Sequence, residues 1–384
     1  MRRLAIVSTH PIQYNAPWFK LLTERGKVAV KIFYTWSQSE EGPKYDPDFK
    51  RIVEWDLPLL DGYDYEFVQN VATEPGSHHF KGIDNPTLIQ RIENWKPDVM
   101  LVFGWAFKSH LRCLRYFKGK LPVLFRGDST LLDETPGLKQ FIRRLFLRWI
   151  YRHVDVALYT GTHNKAYFRA HGLKDSQLVQ ALHAIDNGRF LLNEERQLAA
   201  RRLRQQLSIS TNAFVVLFAG KLEEKKNPFF LLALAQRIRD PQFVFLMAGN
   251  GRLEERLKEA ARNDERIKFL PFQNQTQMPV LYAAAEAFVL PSRGPNETWG
   301  LAANEAMATG LPVLLSSKTG GAVDLIHDNG LLFHPEDVET AVEYLQLLKA
   351  NEAAYRNACQ ASLSHIKRFG YGQLAEAVET ACNL

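Results

Sequence analysis

The amino-acid sequence predicts an α/β protein with two doubly wound domains, each a parallel β-sheet covered by helices on both faces. The first observation behind this prediction is length, because 384 residues exceed one ordinary hydrophobic core and suit two domains. The second is alternation, since short apolar, β-branched or aromatic runs recur along the chain between stretches of helical composition. Such alternation is typical of parallel sheets with crossover helices.

The predicted strands are short apolar runs in both halves of the chain. In the first half they are residues 4–8, 28–33, 99–103, 123–125, 154–159 and 178–181. In the second half they are residues 214–218, 243–247, 267–270, 288–290, 313–315 and 331–333. Helices are predicted between the later strands at residues 229–239, 253–262, 279–284 and 338–350.

A charged, glutamine-rich stretch at residues 193–210 is the longest segment without a predicted strand between the two halves. We expect it to form a solvated helix that opens the second domain. The predicted domains are therefore residues 1–192 and 193–368, with residues 369–384 as a C-terminal helix that packs back on the first domain. Each domain resembles the Rossmann type, in which ligands collect beyond the carboxyl ends of the strands.

Composition excludes several classes of protein. A hydrophobic content of 46% is incompatible with disordered or collagen-like chains. The cysteines are scattered and odd in number, which favours a reducing compartment over a disulfide framework or a zinc site. The first apolar run is broken by His10 and Pro11, too early for a signal peptide, and no stretch approaches about 18 uninterrupted apolar residues. We therefore expect a cytoplasmic protein.

Positive charge is concentrated at residues 139–153, where lysine and arginine interleave with bulky apolar residues and no acid occurs. At helical spacing this pattern predicts a basic amphipathic helix. One interpretation is peripheral contact with an anionic membrane, at the inner face of the plasma membrane, where a lipid-linked acceptor would be found. Another is a domain helix whose apolar face meets its own sheet and whose arginines are solvated. Nucleic-acid binding is a third possibility, but no recognisable binding motif accompanies the patch, so no nucleic-acid partner is predicted.

The segment 291–308 carries two carboxylates, Glu297 and Glu305, on either side of a predicted strand-to-helix junction. Because the composition from Gly300 onward is alanine-rich, Glu297 is expected in the loop and Glu305 in the second helical turn. Backbone N–H groups of Gly300, Leu301 and the next residue form an anion site at the helix start. A nucleotide-sugar, with phosphates in its middle and hydroxyls at both ends, fits between the carboxylates. A glutamate near a helix start is also common for structural reasons alone.

Two lysines follow the predicted strand 214–218 and are candidates to bind the same phosphates. Lys221 and Lys226 lie on a loop where they would converge on a pyrophosphate, although a solvated lysine-rich turn is the alternative. A lysine about 4 Å from a phosphate charge contributes roughly 4 kcal/mol at an effective dielectric constant near 20. Because charge grows on the phosphate as the sugar bond breaks, cations placed beforehand favour the transition state. Gly320 and Gly321 would let the backbone approach a phosphate or sugar, although a glycine pair by itself is usually only a turn.

In their order along residues 220–335, these motifs resemble glycosyltransferase family 4, retaining enzymes of the GT-B fold that use nucleotide-sugars. The shared features are the Gly-Lys-Leu element with its later lysine, the Glu-(x)7-Glu pair and the Gly-Gly turn. The resemblance implies two Rossmann-like domains facing across a cleft, an acceptor domain first and a donor domain second. It also implies glycosyl transfer with retention, and no metal or other cofactor.

The resemblance assigns roles to the donor-side residues. Lys221 and Lys226 would bind the donor diphosphate, Glu297 would touch hydroxyls of the transferred sugar, and Glu305 would hold the ribose hydroxyls. Lys221 stands where the family more often has arginine, so it keeps the charge but loses the planar geometry. Further donor-binding residues implied are Trp299, Gly300 and Leu301 at the phosphates, Phe272 and Gln273 beside the base, and Gly320 and Gly321 at a phosphate or sugar.

The first half resembles a bacterial subgroup that makes cell-surface polysaccharides, in residues 10–17 and 55–63. Many family members have a histidine close to Asp128 that contacts the transferred sugar. Asp128 is therefore either an acidic replacement with a catalytic role or a turn residue, and Arg126 would pair with the acceptor or with Asp128. The predicted acceptor-side residues, each after a predicted strand, are His10, Gln13, Tyr14, Asn15, Trp105 and Arg126.

A possible metal motif receives a different interpretation. Asp46, Pro47 and Asp48 match the Asp-x-Asp pattern that holds a divalent cation in the other large glycosyltransferase fold. Here the pattern follows a polar loop without a preceding buried strand, and Pro47 stiffens it. No metal site is predicted.

The sequence thus predicts a retaining glycosyltransferase that moves a sugar from a nucleotide-sugar to a glycan or lipid-linked glycan acceptor. The expected process is synthesis of a cell-surface polysaccharide such as lipopolysaccharide, O-antigen, capsule or exopolysaccharide. A non-catalytic protein of the same fold that binds glycans or membrane surfaces is one alternative. A dinucleotide-dependent oxidoreductase is another, but the Gly-x-Gly-x-x-Gly fingerprint is missing after Ser8 and Phe218.

Overall fold

A computed structural model gives the structure of the chain and describes residues 1–36, 44–46, 51–53 and 55–384. Within those ranges the chain forms two compact units. The first comprises Met1–Lys44, Pro58–Ala184 and Tyr371–Leu384, and the second comprises Tyr45–Leu57 and Ile185–Gly370. The longer segment of the second unit begins at Ile185, and the C-terminal helix is part of the first unit.

The first unit contains a seven-stranded sheet in the order β5-β2-β1-β6-β7-β8-β9, and every pair of neighbours is parallel. A separate two-stranded sheet, most of which belongs to the second unit, pairs β3 (Lys44–Asp46) with β4 (Arg51–Val53). The strands of the large sheet are β1 (Arg2–Ser8), β2 (Val28–Tyr34), β5 (Asp64–Phe67), β6 (Val99–Phe103), β7 (Val123–Arg126), β8 (Val156–Tyr159) and β9 (Leu178–Gln180).

Helices cover both faces of this sheet because its strands alternate their side chains between two cores. Leu4 and Ile6 of β1 pack into one core, and Ala5 and Val7 pack into the other. The helices of the unit are α1 (Ala16–Arg25), α2 (Leu88–Trp95), α3 (Lys108–Phe117), α4 (Leu138–Tyr151), α5 (Thr162–Ala170) and the C-terminal α15 (Tyr371–Ala381).

The second unit contains a six-stranded sheet in the order β12-β11-β10-β13-β14-β15, again with parallel neighbours. Its central strands are fully buried, as their uninterrupted apolar sequences predict. The strands are β10 (Phe214–Ala219), β11 (Phe243–Ala248), β12 (Ile267–Leu270), β13 (Ala287–Leu290), β14 (Val313–Ser316) and β15 (Gly330–Phe333).

The charged helix predicted at residues 193–210 is α7 (Glu194–Gln206) of the second unit. Its first turn contains Glu194 and Glu195, and the Asn193 side chain accepts a hydrogen bond from the Arg196 N–H, so the helix start is capped. The helices are α6 (Asn187–Phe190), α7 (Glu194–Gln206), α8 (Phe229–Arg237), α9 (Glu254–Ala261), α10 (Met278–Ala283), α11 (Leu301–Ala308), α12 (Ala322–Leu325), α13 (Val338–Ala350) and α14 (Glu352–His365).

The strand orders mark where a ligand is expected in each unit. In a doubly wound sheet the ligand binds beyond the carboxyl ends of the strands, where the order reverses direction. In the second unit this switch point lies between β10 and β13, and in the first it lies between β1 and β6. The loops after β10 and β13 carry the predicted lysines and Glu297, whereas those after β1 and β6 carry His10 and Trp105.

The predicted α/β class with parallel sheets is confirmed, and the main omission is an edge strand. β5 (Asp64–Phe67) was not predicted because its residues are acidic and aromatic rather than a buried apolar run. It pairs on one side only, and the ring of Phe67 stacks on that of Tyr34. Asp46 ends β3, whereas Pro47 and Asp48 of the Asp-x-Asp pattern lie outside the described residues.

Candidate functional site

The junction between β13 and α11 has the predicted form, with Glu297 in the loop and Glu305 in the second turn of the helix. Gly300 precedes the helix at φ 94°, in the left-handed region that glycine adopts without strain. A Cβ there would lie 2.8 Å from both the Leu290 and Thr319 side chains, so the turn also lacks room for one. No side chain caps the helix, so the first N–H groups of α11 face the loop with the positive end of the helix dipole.

Lys226 and Glu297 come together at the switch point of the second sheet. Lys226 Nζ lies 2.5 Å from Glu297 Oε2, and the exposed fractions of the two side chains are only 18% and 7%. The Ser292 hydroxyl donates a hydrogen bond of 3.1 Å to the same carboxylate oxygen. The Ser292 carbonyl accepts one of 2.5 Å from the Ser316 hydroxyl of β14. The carboxylate is thus fixed by a cation from the loop after β10 and by the hydroxyl of Ser292, whose backbone is bound by β14.

The Gly-Gly turn is joined to the Glu297 loop through the backbone. The Gly320 N–H donates to the Glu297 carbonyl at 2.8 Å, and the Gly321 N–H donates to the Trp299 carbonyl at 3.0 Å. A Cβ on Gly320 would lie 2.0 Å from the Thr298 carbonyl oxygen, which leaves no room for any side chain. These glycines therefore set the position of the loop, in addition to any approach of the backbone to a ligand.

Glu305 and Trp299 have side chains held inside the protein. Glu305 is 1% exposed, and its Oε2 accepts a hydrogen bond of 2.9 Å from the Tyr282 hydroxyl of α10. Trp299 is also buried, and its indole N–H donates to Asn304 Oδ1 at 2.8 Å. Sequence reasoning missed both partners, because nothing in the spacing of Tyr282 links it to a carboxylate on the next helix.

The other donor-side positions lie on loops at the same sheet edge. Lys221 is half-buried on the loop after β10, which is pinned by the Leu222 N–H donating to the Asn250 carbonyl at 3.0 Å. The Phe272 N–H after β12 donates to Asn250 Oδ1 at 2.7 Å. The Gln273 side chain folds back to donate to the Pro271 carbonyl at 2.9 Å, so its amide is engaged by its own loop.

In the first unit, Arg126 and Asp128 lie at the end of β7 together with His183, a residue that sequence reasoning left out of the site. The buried Arg126 guanidinium donates to the Ala181 carbonyl at 2.7 Å and to the Leu182 carbonyl at 3.5 Å. Burial lowers the pKa of Arg126 to about 10, and the nearby Asp128 carboxylate opposes that change. Arg126 therefore stays charged at neutral pH.

His183 Nε2 lies 3.9 Å from Asp128 Oδ2. Burial and the Arg126 charge lower the pKa of His183 to about 4, although Asp128 acts in the other direction. The imidazole is accordingly neutral at pH 7 and does not form an ion pair with Asp128. Its place shortly after β9, at the carboxyl edge of the sheet, is the signal that would have identified it.

The remaining acceptor-side residues lie after β1 and β6. His10 is half-buried, its ring contacts Trp36 edge-on at 5.4 Å, and burial lowers its pKa to about 4. Gln13 and Tyr14 form a half-buried turn, and Asn15 Oδ1 accepts a hydrogen bond of 3.4 Å from an indole at the start of α1. The Trp105 ring lies 5.7 Å from that of Phe146 on α4.

Residues 200–363 match the family "Glycosyl transferases group 1". A D-inositol 3-phosphate glycosyltransferase of Corynebacterium efficiens is 31% identical over 189 residues, which are 46% of this chain and 44% of the relative. The chain spans about half the length of the curated relatives it matches.

Solved structures of similar fold cover nearly the whole chain. Anabaena Alr3699/HepE, solved with UDP, is 17% identical with a TM-score of 0.73 and covers 100% of both chains. WaaG, a glycosyltransferase involved in lipopolysaccharide biosynthesis, is 15% identical with a TM-score of 0.65 and covers 98% of both chains. The chain therefore has the GT-B fold, as the sequence predicts. Among its described helices, none is long and apolar enough to cross a membrane.

Proposed function

We propose that this chain is a retaining glycosyltransferase whose second unit binds a nucleotide-sugar and whose first unit binds the acceptor. The observation that carries the proposal is the Lys226–Glu297 pair beside the uncapped start of α11, at the switch point of a sheet in the matched family segment. A diphosphate is the ligand chemistry that suits a cation and free helix N–H groups together.

Lys226 supplies the charge that the reaction needs. As the bond from the sugar to the diphosphate breaks, negative charge accumulates on the phosphate oxygens. A cation that is already in place stabilises this charge more in the transition state than in the ground state, and therefore accelerates the step. Burial strengthens the effect, because the Lys226 side chain is only 18% exposed and the pair is shielded from water.

In this proposal Glu297 accepts hydrogen bonds from hydroxyls of the transferred sugar. A carboxylate close to a diphosphate would normally oppose binding by charge repulsion. Lys226 offsets that repulsion because its ammonium group pairs with the carboxylate. The Ser292 hydroxyl fixes the carboxylate without adding charge. In this proposal Glu305 binds the ribose, with its carboxylate oriented by Tyr282. No metal or other cofactor takes part.

The acceptor we propose is a glycan or lipid-linked glycan in the synthesis of a cell-surface polysaccharide. The relatives named D-inositol 3-phosphate glycosyltransferase favour a second candidate, a phosphorylated cyclitol. Asp128 and His183 at the end of the first sheet are the groups we propose to face the acceptor or the sugar, with the neutral imidazole as a hydrogen-bonding partner.

Thermal unfolding with UDP-, GDP- and dTDP-sugars and with NAD tests the donor. We expect one nucleotide-sugar to raise the melting temperature, because a ligand at about 100 times its dissociation constant stabilises the native state by about 2.7 kcal/mol. Stabilisation by NAD alone would favour the oxidoreductase.

Product analysis with that donor, offered with a lipid-linked glycan or with inositol 3-phosphate, then identifies the acceptor. Proton NMR of the product reports whether the anomeric configuration is retained. Donor binding without transfer to either acceptor and without hydrolysis would favour the non-catalytic alternative.

A further inference from the structure

Helix α4 (Leu138–Tyr151) of the first unit is apolar on two opposite faces. Its inner face is formed by Leu147, Ile150 and Tyr151, which are buried in the core beneath the sheet. One apolar face is enough to attach a helix to its own sheet. Contact with the sheet therefore explains only these three apolar residues of the segment.

The second face, called here the outer face of α4, points away from the core. Its side chains recur at the three- and four-residue spacing that places them along one side of a helix. A monomeric protein rarely exposes so many large apolar groups together unless the patch binds something. The outer face comprises Leu138, Phe141, Ile142, Leu145, Phe146 and Trp149, which are between 36% and 75% exposed.

Cations flank the outer face on both sides. Arg143 and Arg144 share one acid, Glu134, at 3.3 and 3.6 Å. Among the described residues, Lys139 and Arg148 form no ion pair, and neither does the arginine that follows the helix. Residues 138–153 contain no acid. The apolar strip is thus bordered by positive charge that Glu134 neutralises only in part.

We infer that the outer face of α4 docks on an anionic lipid bilayer. A helix with an apolar strip between cationic borders lies in the plane of the membrane interface, with its apolar side chains among the acyl chains and its cations at the headgroups. Trp149 is suited to the interfacial level, where its ring meets both environments, and the Arg115 guanidinium lies 5.5 Å from its centre. Charge complementarity selects this occupant over an apolar protein groove.

Docking through α4 would bring the predicted acceptor-side residues to the bilayer surface. The loop between β7 and α4 carries Asp128, and Trp105 contacts Phe146 on the outer face at 5.7 Å between ring centres. An acceptor anchored in lipid would therefore be presented beside these residues. The docking itself does not depend on the proposed reaction, since it needs only the helix.

Flotation of the full chain with lipid vesicles tests the inference. The vesicles are phosphatidylcholine alone, or an equimolar mixture of phosphatidylcholine and phosphatidylglycerol. We expect binding to the mixed vesicles, with little to phosphatidylcholine alone. Each cation near an anionic surface contributes roughly fivefold to binding, so Lys139→Gln with Arg148→Gln should weaken it about thirtyfold. Ile142→Ser with Leu145→Ser should weaken it by more than about tenfold through lost apolar burial.

Matched controls come from exposed residues elsewhere. Leu198→Ser with Leu347→Ser removes two half-exposed leucines, and Arg201→Gln with Arg202→Gln removes two exposed arginines of α7. Neither control should change vesicle binding.

Equal binding by the α4 variants and the wild type, or no binding to anionic vesicles at all, would overturn the inference. So would sedimentation data showing that the chain dimerises through the outer face, together with no binding to vesicles. Donor-induced thermal stabilisation, measured on the same variants, separates this failure from a failure of the proposed function.

Discussion

Replacement of Lys226 by methionine separates the catalytic role of this side chain from its structural one. The substitution keeps an unbranched, flexible side chain that is one atom shorter, and it removes the charge. A phosphate contact at about 4 Å is worth roughly 4 kcal/mol at an effective dielectric constant near 20, before the cost of desolvation. After that cost, we expect kcat to fall about 10²- to 10³-fold, the range found when one preorganised donor to a developing anion is removed.

The same substitution should also lower the free energy of unfolding, because it leaves the Glu297 carboxylate without its cation. Removing one partner of a fully buried pair costs about 3–5 kcal/mol. Here Ser292 still donates to the carboxylate and Lys226 is 18% exposed, so we expect a smaller loss of about 2 kcal/mol. Adding Glu297→Gln should recover much of that stability, since the uncompensated charge disappears, but none of the activity.

The assays are steady-state transfer with the selected donor and chemical denaturation. Both are applied to the four proteins of a double-mutant cycle: the wild type, Lys226→Met, Glu297→Gln and the double variant. The control is Lys225→Met, on the neighbouring and more exposed lysine that pairs with Glu223 at 3.5 Å. It should retain activity within about twofold, as surface ion pairs contribute little. The reasoning is refuted if Lys226→Met transfers sugar at the wild-type rate, or if Lys225→Met loses as much activity.

Two further predictions concern packing, one in each unit. Gly320→Ala should lower both stability and activity, because its Cβ would lie 2.0 Å from a carbonyl oxygen of the Glu297 loop. The control is Gly372→Ala, at an open helical position, which should be neutral or stabilising by up to about 1 kcal/mol. Equal effects in the two variants would contradict this account. Glu379, bound by Arg25 at 2.6 Å, has its pKa lowered chiefly by that hydrogen bond, so Glu379→Gln should cost about 1–3 kcal/mol above the ordinary pKa of 4.5. The difference should vanish as the pH falls through the lowered folded-state pKa, and a pH-independent difference in denaturation would show that charge is not its cause.

Much of the site could be predicted because its parts follow from local pattern and sheet topology. The burst of apolar residues before Pro291 predicts a buried strand, and β13 (Ala287–Leu290) is fully buried. Lys226 and Glu297 are distant in sequence, but both follow central parallel strands, and the carboxyl ends of such strands share one edge. Their contact is therefore a consequence of topology that the sequence already indicates.

Other features depend on packing between elements, which no local pattern contains. The hydrogen bond from Tyr282 to Glu305 joins two helices, and Glu305 is 1% exposed. His183 resembles any histidine in a connecting segment until the sheet brings it beside Asp128. The sequence of α4 likewise does not distinguish its buried apolar face from its exposed one, because periodicity alone does not say which face meets the sheet.

The central claim is that a diphosphate binds at the start of α11, between Lys226 and the first backbone N–H groups of the helix. A crystal structure of the full chain with the nucleoside diphosphate selected by thermal unfolding tests it most directly. We predict phosphate oxygens within about 3 Å of Lys226 Nζ and of the N–H groups at Leu301 and Ala302. A diphosphate bound elsewhere, with the Lys226–Glu297 ion pair intact and not in contact with it, would contradict the account.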